Sequence, residues 1–149
     1  MNRDNSRRIS AIALPAALAC AFSASSQAGE WSANASATSN YIWRGLTQTE
    51  NEAAVQGGID FASDSGFYVG TWASNVNYGA GDVYSYEHDV YAGFAFDTGD
   101  ISWNVGYLYY NYDKEAEFDF GEVYIGMGIG NFSAQYNVLA DTEADEAPG

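Results

Sequence analysis

Between Trp31 and Trp43 the chain alternates with a period of two: Trp31, Ala33, Ala35, Ala37, Ser39, Tyr41 and Trp43 are apolar, aromatic or small, while Ser32, Asn34, Ser36, Thr38 and Asn40 are polar. Successive side chains of a strand point to opposite faces, so this pattern predicts a strand with one apolar and one wet face, bracketed by indole rings and ending on Arg44. Twelve steps of about 3.3 Å, tilted by about 40°, set the two Trp side chains about 30 Å apart along a membrane normal. Aromatic girdles at both interfaces of an apolar band are a requirement of an outer-membrane barrel, and a soluble sheet has no comparable reason to bracket a strand this way.

The residues before this strand predict export. Arg3, Arg7 and Arg8 form a positive start, Ile9 to Phe22 is almost wholly apolar, and Ser26-Gln27-Ala28 offers small residues at the positions a signal peptidase reads. Residues 1–28 therefore read as a cleaved signal peptide; the apolar run is short for a spanning helix, contains Pro15 and lacks a stop-transfer flank. Leu18-Ala19 before Cys20 places Leu one position too close for the usual lipoprotein pattern, and cleavage after Ala28 removes the chain's single cysteine. Disulfides then contribute nothing to the mature domain, residues 29–149.

Arg44 and Lys114 face 19 acids in that domain, a net charge of −17. Phosphate binding needs clustered Lys and Arg, so nucleic acid is excluded as a partner. The acids collect in expected connections: Glu50 and Glu52, Asp82, Asp113 with Glu115 and Glu117, and Asp141 to Glu146. No sustained 3.6-residue periodicity appears, Gly is frequent, and seven strands are predicted: 31–44, 53–63, 66–75, 84–97, 101–112, 118–128 and 131–140. Their connections alternate long and short, as extracellular loops and periplasmic turns do in a barrel that starts from a periplasmic amino terminus.

The faces agree from strand to strand. Val55, Ile59 and Phe61 oppose Gln56, Gly58 and Asp60; Val90, Phe94 and Phe96 oppose Glu87, Asp89, Tyr91 and Gly93; Val123, Ile125 and Met127 oppose Glu122, Tyr124 and Gly126. In the strand at 66–75, Tyr68 and Trp72 oppose Phe67, Val69 and Ala73, so both faces look apolar. The same alternation suits a soluble β-sandwich or lipocalin-like barrel. Against it, the polar sides carry Ser, Asn, Gln and Gly rather than charges of both signs, and aromatic residues gather near strand ends: Trp31, Tyr41, Trp43, Tyr84, Tyr86, Tyr107 and Tyr109. The expected fold is all-β, an antiparallel up-and-down transmembrane β-barrel.

The stretch from Ser32 to Val76 carries Tyr41, Arg44, Gly45, Thr47, Gln48, Thr49, Gly57 and Gly58 in the order Tyr-Xaa-Xaa-Arg-Gly, Thr-Gln-Thr and Gly-Gly. In this it resembles the amino-terminal half of the TorF family of bacterial outer-membrane porins, a likeness specific over residues 32–75 and one of style alone from there to 140. The resemblance implies a passive diffusion channel and names no substrate. Relatives of that kind continue for further strands, whereas this chain ends on Glu146-Ala147-Pro148-Gly149 after an odd seventh strand. Unpaired strand edges are not tolerated in lipid, so the expectation is an incomplete, seven-strand portion of a longer barrel.

No constellation argues for enzyme chemistry, a cofactor or a metal centre. His88 is the single histidine, and Glu87 and Asp89 beside it point to the opposite face of a strand. Arg44 is the residue singled out: it has the wet parity, as do the carboxylates Asp60, Glu87, Asp89 and Glu122. It reads either as a luminal group setting ion selectivity or as a structural Arg that satisfies buried carboxylates. The function expected is an outer-membrane channel of a Gram-negative bacterium for small hydrophilic solutes or ions, surrounded by lipid and lipopolysaccharide; the alternative is a non-conducting surface barrel acting through acidic loops in adhesion or envelope structure. Lumen width separates the two, because eight strands are filled by side chains while larger barrels hold water.

Overall fold

Gly99-Asp100 and Gly130-Asn131 are two-residue links between long alternating segments, and each turns the chain back on itself through a Gly of positive φ, 63° and 58°. Positive φ at the first central position of a two-residue loop suits the right-handed twist of the strands it joins. Such links organise the described part of the chain, which is all-β and antiparallel. The computed structural model describes residues 22–26, 29–81, 83–113 and 118–142. Among these residues there are ten strands: β1 Phe22–Ser26, β2 Gly29–Thr38, β3 Ile42–Trp43, β4 Leu46–Thr47, β5 Ala54–Ala62, β6 Phe67–Asn75, β7 Tyr86–Thr98, β8 Ile101–Tyr112, β9 Phe120–Ile129 and β10 Phe132–Thr142.

Eight of them form one sheet in the order β1-β2-β5-β6-β7-β8-β9-β10, and β3 pairs with β4 in a separate hairpin. Apart from that hairpin every neighbour in space is a neighbour in sequence, so the sheet is a meander. Its end strands β1 and β10 are not paired with each other. Where the sequence predicts seven strands the sheet has eight, because Phe22–Ser26, inside the expected signal peptide, pairs with Gly29–Ala33. Residues 1–21 lie outside the described residues. The connections keep the expected alternation: the sheet is joined by short turns at 63–66, 99–100 and 130–131, and by long segments at 39–53, 76–85 and 113–119.

One expected strand is broken. The alternation from Trp31 to Trp43 ends at Thr38, and the chain then leaves the sheet to form the β3–β4 hairpin. Its turn is Arg44-Gly45, both with positive φ (47° and 87°), the pair of left-handed residues that a two-residue type I′ turn requires. Glycine adopts this conformation freely; Arg44 holds it at some cost.

Polarity is distributed in an unusual way. On one face of the sheet the apolar side chains are exposed: Val55 at 71%, Ile59 at 52%, Val123 at 50% and Ile125 at 46%, with Val90, Phe94, Phe96, Met127 and Val138 on the same side. On the face covered by the hairpin the buried groups include Glu87, Asp89, Glu122 and Ser74. The ambiguous strand β6 follows suit. Tyr68 and Trp72 lie on the covered face, and Phe67 on the exposed one.

Candidate functional site

The site is the covered face beneath the segment 39–53. That segment is held together by its own short polar side chains. Asn40 Oδ1 accepts from Thr47 Oγ1 at 2.6 Å and from Thr49 Oγ1 at 3.2 Å. Thr49, fully buried, also donates to the Glu52 carbonyl at 2.7 Å and accepts from the Tyr41 backbone N–H at 3.2 Å. Gln48 links the segment to the next long connection, accepting from Tyr78 Oη at 3.0 Å on its side chain and from the Asn77 N–H at 2.8 Å on its carbonyl. Thr and Asn in this role offer the backbone an alternative to the ladder, which is why the strand stops where it does.

The folded segment fastens to the wall at three points. Tyr41 Oη donates to Glu87 Oε1 at 2.7 Å, and its ring meets Trp72 edge-on at 5.4 Å. Trp43 packs edge-on against Tyr110 and Phe120, with centroids 5.9 and 6.5 Å away. Arg44 at the tip forms a two-pronged pair with Glu122, one prong 2.8 Å long, while its guanidinium carbon sits 4.2 Å from the Trp43 ring. Glu122 accepts a further hydrogen bond from Asn137 Nδ2 at 2.9 Å. In a flat sheet β9 would lie about 24 Å from β2, five spacings of about 4.8 Å. The six backbone steps from Thr38 to Arg44 span about 20 Å at full extension, and the Arg44 and Glu122 side chains make up the rest.

The wall is built in register rows. Ser36, Gln56, Ser74, Glu87 and Tyr112 stand side by side on β2, β5, β6, β7 and β8. Tyr112 Oη donates to Glu87 Oε2 at 2.7 Å, which gives that carboxylate a phenol on each oxygen. In a second row, Gly70 lies between Asp60 and Tyr91, whose side chains bond across it. A third runs Tyr68, Gly93, Gly106, Tyr124, and there the two phenol hydroxyls meet above the glycines, Tyr68 also donating to Asn104 Oδ1 at 2.6 Å. These rings rest along the wall because the neighbouring strands offer no Cβ to hold them off.

The family model described as "Bacterial protein of unknown function (Gcw_chp)" matches residues 22–144. The chain belongs to this family. No curated protein and no solved structure matches it. The description carries no activity, so the function of this Gcw_chp chain is argued from its geometry.

The residues that the sequence singles out are distributed as follows. Arg44 and Glu122 are brought together directly; Glu87 and Asp89 lie behind them under Tyr41; Asp60 sits farther along with Tyr91. Two of the expected girdle residues lie on the covered face. Tyr41 is buried on Glu87, and the half-buried Trp43 packs on Tyr110 and Phe120, both on the covered face. Tyr84 joins Tyr78, Tyr112 and Phe118 in a cluster among the long connections. Trp31, Tyr86 and Tyr107 are exposed, Trp31 against Phe61 at 5.1 Å, and Tyr109 is half-buried. His88 faces away from its two acidic neighbours and bonds Thr71 Oγ1 at 2.6 Å. Thr49, Trp72, Tyr112 and Asn137 also belong to the site, and in the sequence polar parity alone marks Tyr112 and Asn137. Among the described residues no helix is long and apolar enough to cross a membrane, a statement that does not bear on strands.

Proposed function

We propose that this Gcw_chp protein is an outer-membrane β-barrel channel for passive diffusion of small hydrophilic solutes, narrowed by the hairpin at 39–53. The observation that carries the reading is the inverted polarity of the sheet: Val55, Ile59, Val123 and Ile125 face outward while Glu87, Asp89 and Glu122 are covered. In water that arrangement exposes apolar surface and buries charge, both unfavourable. In a bilayer it matches a lipid-facing exterior and a polar lumen. The alternating connections, the signal-like start and the resemblance to TorF porins over residues 32–75 support it further. In this reading the long, acidic connections face outward among cation-bridged lipopolysaccharide, the short turns face the periplasm, and the free edge of β10 is paired within the membrane.

Arg44 and Glu122 then define the constriction, and the acids around them bias the pore toward cations. Planar-bilayer recordings of the full chain test this. Stepwise ohmic conductance with preference for K⁺ over Cl⁻ is expected, and Arg44→Ala, which leaves Glu122 without its cation, raises that preference. Unchanged selectivity in Arg44→Ala removes the selectivity role and leaves Arg44 a purely structural partner. A second reading, a non-conducting surface barrel, draws on the closely bonded Tyr68–Tyr124 and Tyr41–Glu87–Tyr112 groups that occupy the covered face. Its outcome is an absence of conductance steps from a correctly inserted protein.

A further inference from the structure

Glu87 and Asp89 stand two residues apart on β7, so both side chains point to the covered face, where they are 2% and 7% exposed. The oxygens of Glu87 are each met by a phenol, from Tyr41 and Tyr112. Asp89 is different: its Oδ1 is buried and without a hydrogen-bond partner, the single such side-chain atom among the described residues. Its register neighbours are Trp72 on β6 and Tyr110 on β8, and the nearby charge that acts on it is the like charge of Glu87. Among the described residues no cation balances this pair. Among the described residues Arg44 is the only Lys or Arg, and its guanidinium is committed to Glu122; His88 is turned to the opposite face. An uncompensated buried charge costs several kcal/mol, so the geometry calls for a positive occupant, either a proton or a bound cation.

We propose that Glu87 and Asp89 form a binding site for one small monovalent cation of the alkali-metal class, seated under Tyr41 at the root of the hairpin. The proposal deepens the channel reading, since such a site lies where permeant cations would pass, but it is tested separately. The donor set decides the class. Calcium takes six to eight oxygens and magnesium a near-ideal octahedron, whereas the described residues hold no group of three or more acidic or histidine ligands. The oxygens at hand are the two carboxylates and the hydroxyls of Tyr41 and Tyr112, beside the electron-rich rings of Trp72 and Tyr41.

The experiment is thermal unfolding of the refolded full chain in detergent, in NaCl, KCl or N-methylglucamine chloride at one ionic strength and one pH. Binding to the folded state alone raises the midpoint with ligand concentration. A saturable rise of several degrees is expected in Na⁺ or K⁺ and none with N-methylglucamine, and Asp89→Asn abolishes the difference between salts. Should Asp89→Asn fail to fold, thallium(I) binding to the unaltered protein, displaced by Na⁺ or K⁺, gives the same readout. Equal midpoints in all three salts overturn the proposal, as does a midpoint that responds to acid identically in every salt, which assigns a proton to the pair. Bilayer conductance measured on the same preparation keeps the two ideas apart: intact conductance with no salt dependence of unfolding removes the cation site and leaves the channel.

Discussion

Tyr68 and Tyr124 lie toward each other across two strands because Gly93 and Gly106 leave the space between them free. A Cβ at Gly93 would stand 2.6 Å from the Val105 carbonyl oxygen as well as against the Tyr68 phenol, and one at Gly106 would stand 2.7 Å from the Ala92 carbonyl and against the Tyr124 phenol. Backbone on one side and a bonded ring on the other leave little room to yield. Gly93→Val and Gly106→Val are therefore each expected to destabilise the protein by about 1–3 kcal/mol, measured by urea unfolding in lipid vesicles. The need for small residues on this face was legible from parity, but which ring covers which glycine was not, since that depends on register between strands. Tyr41→Phe tests a different residue-scale claim. Removing a phenol from buried Glu87 takes away a hydrogen bond to a charged group, with an expected loss of about 1.5–3 kcal/mol, while Tyr86→Phe on the exposed side leaves stability within about 0.5 kcal/mol.

Among the elements, the hairpin at 39–53 shows best where sequence reading succeeds and where it fails. Parity is continuous through Tyr41 and Trp43 and predicts a strand to Arg44, yet the side chains that end it, Asn40, Thr47 and Thr49, act through bonds across the turn that no period reveals. The Tyr-Xaa-Xaa-Arg-Gly and Thr-Gln-Thr residues are those that build this hairpin, and the Arg44–Glu122 pair is legible only as shared parity. Gly45→Val, placing a β-branched residue at φ 87°, is expected to loosen the hairpin and expose Trp43, read as a red shift in its fluorescence. A second element-scale contact ties the connection at 76–85 to the one at 113–119. Asp113 Oδ1 accepts from the Ser85 N–H at 2.8 Å and the Tyr86 N–H at 3.4 Å, and Ser85 Oγ donates to Oδ2. Slight desolvation works to raise the Asp113 pKa, but these donors outweigh it and hold the carboxyl below the usual carboxylate range. Its folded value is the lower one, so its contribution is present above the ordinary carboxylate pKa and is lost as pH falls through the folded value. Hydrogen-exchange protection at Ser85 and Tyr86 is expected to decline over that acidic interval, and Asp113→Ala, which removes the acceptor, is expected to lack it already at neutral pH.

For the molecule as a whole, the strand meander, the alternation of long and short connections and the two-faced strands were all readable in the sequence, because each depends on local pattern. Strand number was not: β1 arises from residues that pattern assigned to a signal peptide, and pairing between sheet edges is set by geometry beyond any local rule. The central claim is that the sheet sits in a bilayer with its apolar face outward and its carboxylate-bearing face toward water. Site-directed spin labelling in lipid vesicles tests it most directly, using single cysteines in a Cys20→Ser background. Labels at Val55, Ile59, Val123 and Ile125 are expected to be relaxed strongly by dissolved oxygen and weakly by a water-soluble nickel chelate, whereas labels at Gln56 and Asn137 show the opposite preference. Equal access of the nickel chelate to both sets, or a reversed pattern, contradicts the account.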